Sequence, residues 1–153
     1  MMRFAPDQVE YCCGELDELL MQHMPRPVER EQVLPMRVDW LALQRISAAG
    51  GVELVTARDD EYGGRVLGFA LYFVVPNLHH IGTITAACDF LVVADDMRGL
   101  GIAGNLMRVA EPILRARGVK FITHMFCTCY DAQPLFPKHG YTLIEQAYLK
   151  ELK

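Results

Sequence analysis

The stretch Asp89-Phe90-Leu91-Val92-Val93-Ala94-Asp95-Asp96-Met97-Arg98-Gly99-Leu100-Gly101-Ile102-Ala103-Gly104 decides how the chain is read. It begins as an apolar, β-branched run, turns through acidic residues, and opens a helically periodic segment at glycines. Such a strand–turn–helix junction is suited to anions. The first N–H groups of a helix have no partners within it, the helix dipole adds positive character, and glycines let a ligand reach the backbone. Arg98 adds a full positive charge. The plainer reading is that the glycines only make a tight turn and let the helix pack closely on a sheet.

Gly99-Leu100-Gly101-Ile102-Ala103-Gly104 spells the dinucleotide-binding pattern G-x-G-x-x-G. That pattern requires its first glycine to follow the strand directly, and here residues 94–98 intervene. It also requires an acidic residue near the end of the next strand, whereas residues 119–126 are followed by Cys127. About 27 residues remain after that strand, too few to complete a doubly wound domain. A nicotinamide-dependent dehydrogenase is therefore rejected. A P-loop fails as well, because no Gly-Lys-Ser/Thr triplet occurs.

Outward from the junction, apolar residues at Ile102, Leu106, Val109, Ala110, Ile113 and Leu114 predict a helix over 99–117, with Gly118 past its end. Arg115 and Arg117 lie near its negative pole, and Pro112 should bend it because proline cannot donate to the carbonyl of Arg108. Upstream, residues 52–58, 66–75 and 81–93 predict strands separated by a break at 59–64 and a turn at Pro76-Asn77. Downstream, 119–126 reads as a strand, 131–139 as a short helical or turn segment, and 141–149 as a last strand. At the start, Val9, Cys12, Cys13, Leu16, Leu19, Leu20 and His23 predict an amphipathic helix over 7–24, capped by Asp7. A second helix carries Trp40, Leu41, Leu43 and Ile46 and ends at Gly50-Gly51. The order is helices, antiparallel strands, strand–helix–strand, a short helix and a final strand. It predicts one α+β domain over residues 1–153 with a mixed sheet.

Composition narrows the function. The 153 residues fit one domain, and 52% hydrophobic with 22% charged residues is globular composition. No apolar run is long enough for a transmembrane helix, so no membrane is expected. The start lacks the apolar core of a signal peptide. A net charge of −4 argues against general nucleic-acid binding. The five cysteines, Cys12, Cys13, Cys88, Cys127 and Cys129, are odd in number and read as reduced thiols in a cytoplasm. No metal is expected. Cys127-Thr128-Cys129 has a single residue between its thiols, and neither a second cysteine pair nor a His-x₃-His spacing follows, although His124 and His139 stand nearby in sequence.

A second pattern overlaps the glycines. Arg98-x-x-Gly101-x-Ala103 resembles the R/Q-x-x-G-x-G/A loop of the GCN5-related N-acetyltransferase (GNAT) superfamily. The flanking strand, helix and following strand fall where that family has them. Pro134-Leu135-Phe136-Pro137-Lys138-His139-Gly140-Tyr141 resembles the family's ending before its closing strands. The strong match covers about residues 81–149, and the earlier half agrees in the order of its elements. The chain is also similar to small GNAT-like proteins of phage genomes, which would place it in a host cytoplasm.

The resemblance implies the acyl-CoA N-acyltransferase fold, a mixed and mostly antiparallel central sheet flanked by helices. It implies acetyl-CoA as co-substrate, in an opening between central strands. Its contacts would fall on the backbone of Leu91, Val92 and Val93, and on the loop Arg98, Gly99, Leu100, Gly101, Ile102, Ala103 and Gly104. Phe136 joins them. The reaction implied is direct acetyl transfer to a primary amine, with no covalent enzyme intermediate.

Asp89, the only charged residue between Ile81 and Val93, is the candidate base, with a structural cap or ion pair as the equal alternative. His79 and His80 read as decoration of an exposed turn. The family's usual tyrosine acid corresponds to Phe136, which cannot donate a proton, so Tyr130 and Tyr148 become the candidate acids, or the thiolate leaves unaided. The acceptor is expected to be a small amine or a protein amino group. The acidic residues Asp59-Asp60-Glu61 and those of the first helix read as solvated surface rather than an acceptor lip. The competing reading is a GNAT-like module, catalytically weak or inactive, that docks on another protein. An apolar surface patch of Met21, Met24, Met36 or Trp40 would favour it. Homodimers are common in the family and enter as a further expectation.

Overall fold

In the computed structural model, residues 1–23, 35–126, 134–150 and 152 are described. They fall into two compact units, one formed by residues 1–24 and 38–125 and the other by residues 25–37 and 126–153.

The first unit holds a five-stranded sheet in the order β1-β2-β3-β4-β5. Its strands are β1 (Met2–Asp7), β2 (Val52–Asp59), β3 (Val66–Pro76), β4 (Ile84–Val93) and β5 (Val119–His124). The first four pair antiparallel, while β5 joins β4 in parallel. The helices are α1 (Val9–His23), α2 (Trp40–Ala48) and α3 (Ile102–Ala116). This is the mixed, mostly antiparallel sheet expected from the sequence.

Burial follows from the residue pattern. Every position of β3 from Val66 to Tyr72 is buried, so both faces of the sheet are covered there, and α1 and α3 both contact it. Leu16 and Leu20 of α1, with Leu106, Met107 and Leu114 of α3, are fully enclosed. Each such side chain contributes about 2 kcal/mol of apolar burial. Gly68 explains how closely α3 begins on the sheet. A Cβ there would lie 3.0 Å from the Val92 carbonyl oxygen and 3.1 Å from Ile102 Cγ2.

Two arginines tie the periphery to the sheet. Arg58 of β2 contacts Asp7 at 3.1 Å and Glu15 at 2.9 Å, and donates to the Gly64 carbonyl. Glu15 also accepts the Val66 N–H. Burial alone would lower the Arg58 pKa, but the hydrogen bonds it donates to Glu15 and Asp7 outweigh it, and the guanidinium is held above its ordinary value. At the end of α3, Arg117 donates to Glu53, to the Val52 carbonyl and to the Gly50 carbonyl. Cation and helix dipole thus agree at that terminus.

Several expectations are corrected. The chain begins with a strand: Asp7 ends β1, its Oδ2 serves Thr56 and Arg58, and α1 starts at Val9 rather than 7. The strand expected from 81 starts at Ile84, because residues 81–83 belong to the turn. The strand expected to 126 ends at His124. Pro112 lies inside α3, where the sequence placed it.

The second unit contributes α4 (Leu135–Lys138). Phe136 packs there against Phe126 and Tyr141, with ring centroids 5.1 and 6.0 Å apart. Residues 141–150 lie outside any helix or strand, so the last strand expected over 141–149 is not formed. Extended propensity alone makes no strand without a ladder partner. Among the described residues, no helix is long and apolar enough to cross a membrane.

Candidate functional site

The site begins where β4 and β5 part. Their pairing runs from Ile84↔Val119 to Cys88↔His124, but β4 continues to Val93. Beyond Cys88, the β4 edge away from β3 has no strand partner among the described residues. A bulge marks the same place. Leu71 pairs with Phe90 and Tyr72 with Cys88, leaving Asp89 as the extra residue. Bulges re-aim the backbone next to functional openings. Residues in a strand point their N–H groups alternately to its two edges. The Ala94 N–H reaches the Leu67 carbonyl at 2.9 Å, so the N–H groups of Leu91 and Val93 fall on the open edge and that of Val92 faces β3.

Past β4, a 3₁₀ turn over Asp95–Met97 leads to the glycine loop. Gly99 and Gly101 have φ of +83° and +76°, a left-handed backbone that L side chains resist. Nothing lies within 4 Å of a Cβ built on either one, so conformation, not crowding, demands glycine. Gly101 is the N-cap of α3 and supplies no side-chain cap. The first helical bond is Asn105 N–H to the Gly101 carbonyl, 3.0 Å. The N–H groups of Ile102, Ala103 and Gly104 therefore stand at the positive end of a 15-residue helix whose N-cap makes no side-chain hydrogen bond to them. Arg98 reaches back from the loop, meeting Asp95 at 2.7 Å and the His23 carbonyl at 2.5 Å.

At the floor of the opening, Tyr72, Cys88 and His124 form a cross-strand row. The rings of Tyr72 and His124 meet edge-on at 5.7 Å. Burial lowers the His124 pKa from 6.5 to about 4, so the imidazole is neutral at pH 7. The Cys88 thiol is pushed far up, first by burial and then by the Asp89 charge. Such a thiol is inert as a nucleophile.

The remaining sequence candidates are placed as follows. Asp89, Leu91, Val92, Val93 and the loop 98–104 share the first unit, while Phe136 and the exposed Tyr148 lie in the second. Tyr130, Cys127 and Cys129 lie outside the described residues. His79 and His80 sit on the exposed β3–β4 turn, as expected, with Asn77 accepting the His79 N–H. Asp59 departs from the solvated reading. It is buried at the end of β2, and the Glu61 N–H first of all holds its carboxyl below the usual range. Trp40 is partly buried and donates to Asp17 at 2.8 Å, which removes it from an exposed apolar patch. Met24 is outside the described residues, and Met21 is moderately exposed.

A cleft at the β1 edge of the sheet is lined by Arg3, Asp7, Thr56 and Arg58. Asp7 and Arg58 already hold each other, so the chemistry points to the loop instead. Sequence reasoning passed over His23, and treated His124 only as a remote metal ligand. The signal for His23 was its position in the last turn before Pro25.

Comparison with known proteins converges on the same architecture. The model of the acetyltransferase (GNAT) family matches residues 15–141. No curated protein matches the sequence. Among solved structures, a transcriptional regulator from Bacillus halodurans C-125 is similar at a TM-score of 0.78 and 18% identity, covering 99% of this chain and 100% of that one. A ribosomal-protein-alanine N-acetyltransferase from Brucella melitensis biovar Abortus 2308 gives 0.71 and 20%, covering all of both chains. AAC(6')-Iy, solved with the bisubstrate analogue CoA-S-monomethyl-acetylneamine, gives 0.70 and 16%, covering 100% and 99%. These likenesses carry the fold, and the family match carries the chemical class: the chain belongs to the acetyltransferase (GNAT) family, whose work is acyl transfer.

Proposed function

We propose that the protein transfers an acetyl group from acetyl-CoA to a primary amine by direct attack. The observation that carries this reading is the start of α3, without a side-chain cap behind two left-handed glycines, continuous with the β4 edge that has no strand partner among the described residues. These features fit the co-substrate. The loop offers N–H groups and a positive dipole to a pyrophosphate, and the Leu91 and Val93 backbone offers hydrogen bonds to a pantetheine arm or a polarised carbonyl. Acetyl-CoA supplies an activated acetyl thioester. The amine nitrogen bonds to the acetyl carbon, the carbon–sulfur bond breaks, the amine gives up its proton, and CoA leaves as thiolate.

Asp89 is our candidate for receiving that proton, directly or through water. Its support is its place at the bulge where the strands part. Tyr130 and Tyr148 remain the candidate acids, although a thiolate with an ordinary pKa near 8.5 also leaves unassisted. The acceptor is a small amine or a protein amino group. The whole chain is read as one domain, and its reduced cysteines suit a cytoplasm.

The test is a panel of primary amines with acetyl-CoA, measured by thiol release. Asp89→Asn should lower kcat about 100-fold or more while the Kd for CoA stays within about twofold. Equal turnover in wild type and variant removes Asp89 as the base. A wild type that binds acetyl-CoA yet acetylates no amine turns the reading toward a docking module.

A further inference from the structure

The end of α1 and the entry to the glycine loop are joined by a cluster of which the acetyl-transfer reading uses only Arg98. The His23 Nδ1 accepts the Asp95 N–H at 3.2 Å. The same nitrogen lies 3.4 Å from an Asp95 carboxylate oxygen, and the other Asp95 oxygen meets Arg98 at 2.7 Å. Arg98 closes the circuit by donating to the His23 carbonyl at 2.5 Å. One residue of α1 therefore serves the loop twice, with its imidazole at Asp95 and its carbonyl at Arg98.

The physical logic is reciprocal. A carbonyl in the last turn of α1 has no partner inside the helix, and a cation there also meets the negative end of the dipole. The Asp95 N–H begins the 3₁₀ turn Asp95–Met97 and needs an acceptor from elsewhere. Each element supplies what the other lacks, across 72 residues of sequence. The turn so fixed leads directly into Arg98, Gly99 and Gly101, whose backbone sets the direction of the first N–H groups of α3.

We propose that His23 is a positioning residue for the glycine loop: through Asp95 and Arg98 it fixes the loop's entry and makes the end of α1 part of the cofactor site. This rests on the reading of the loop as the CoA pyrophosphate site. The atom responsible is Nδ1, so the two amide side chains separate the roles. Asparagine brings its Oδ1 to about the place of Nδ1, whereas glutamine carries its oxygen to about the place of Nε2.

The experiment is calorimetric titration of the full chain with coenzyme A, together with hydrogen exchange of the Asp95 amide. His23→Ala and His23→Gln should weaken CoA binding about three- to tenfold, the range expected for one net hydrogen bond, and should speed exchange at Asp95. His23→Asn should restore both. A merely structural role would make Asn and Gln equivalent and would leave Asp95 exchange tied to global stability. If His23→Ala unfolds, the Asn and Gln pair alone decides. Wild type that binds CoA with all variants equal overturns the inference and leaves the loop reading intact. Wild type that binds no CoA overturns the loop reading, and the inference falls with it.

Discussion

Acidification should destabilise this protein through His124 before most carboxylates titrate. Burial of the ring, which meets Tyr72 edge-on, lowers its pKa from 6.5 to about 4. The folded state thus holds a neutral imidazole while the unfolded chain takes up a proton. The group's folded-state value is depressed, so its contribution to stability is full above pH 6.5, falls through the window from 6.5 to 4, and is lost below it. Each pH unit inside that window costs about 1.4 kcal/mol. Between pH 7 and 5.5, the linkage relation gives a loss of about 1.2 kcal/mol from His124 alone. The assay is urea denaturation of wild type and His124→Phe at both pH values. Phenylalanine keeps an aromatic ring against Tyr72 and removes the titration, while every other group contributes equally to both proteins. The difference of differences should be about 1.2 kcal/mol, with the variant the less sensitive. Equal losses in the two proteins would refute the buried, neutral imidazole.

Three other outcomes follow from the same structure. Gly101→Ala forces an L residue to φ of +76°; it should cost about 1–2 kcal/mol in denaturation and weaken CoA binding, since the strained residue caps α3. Cys88→Ala should leave acetyl transfer within a few-fold of wild type, and mass spectrometry of wild type with acetyl-CoA should find no acetylated Cys88, because the thiol is buried and its pKa far raised. Arg58→Met should destabilise by about 2 kcal/mol, as Asp7 and Glu15 lose their shared cation in a partly buried setting; an unchanged urea midpoint would show that the cluster contributes nothing.

What could be read from the sequence was what is decided locally. The glycine loop and α3 are fixed by a 3.6-residue apolar period, positive-φ glycines and a charge-matched terminus, all within twenty residues. β3 and β4 announce themselves by β-branched and aromatic runs. β1 did not, because Met2-Arg3-Phe4-Ala5-Pro6-Asp7 is short and contains a proline, which an edge strand tolerates and a propensity rule penalises. Asp7 looks like a helix cap until Arg58, 51 positions away, claims its carboxylate. The roles of His23 and His124 depend likewise on partners distant in sequence, Asp95 and Tyr72. The parting of β4 and β5 depends on where β5 stops. A run of strand-forming residues over 119–126 did not reveal that His124 would be the last to pair.

The central claim is that the glycine loop receives the pyrophosphate of acetyl-CoA. Its most direct test is calorimetric titration with acetyl-CoA, using NAD for comparison and an Arg98→Glu, Gly101→Glu double variant as control. Acetyl-CoA should bind with micromolar affinity, the double variant should lose that binding, and NAD should not bind. Acetyl-CoA binding that survives the double variant, or no binding by a folded wild type, would contradict the claim.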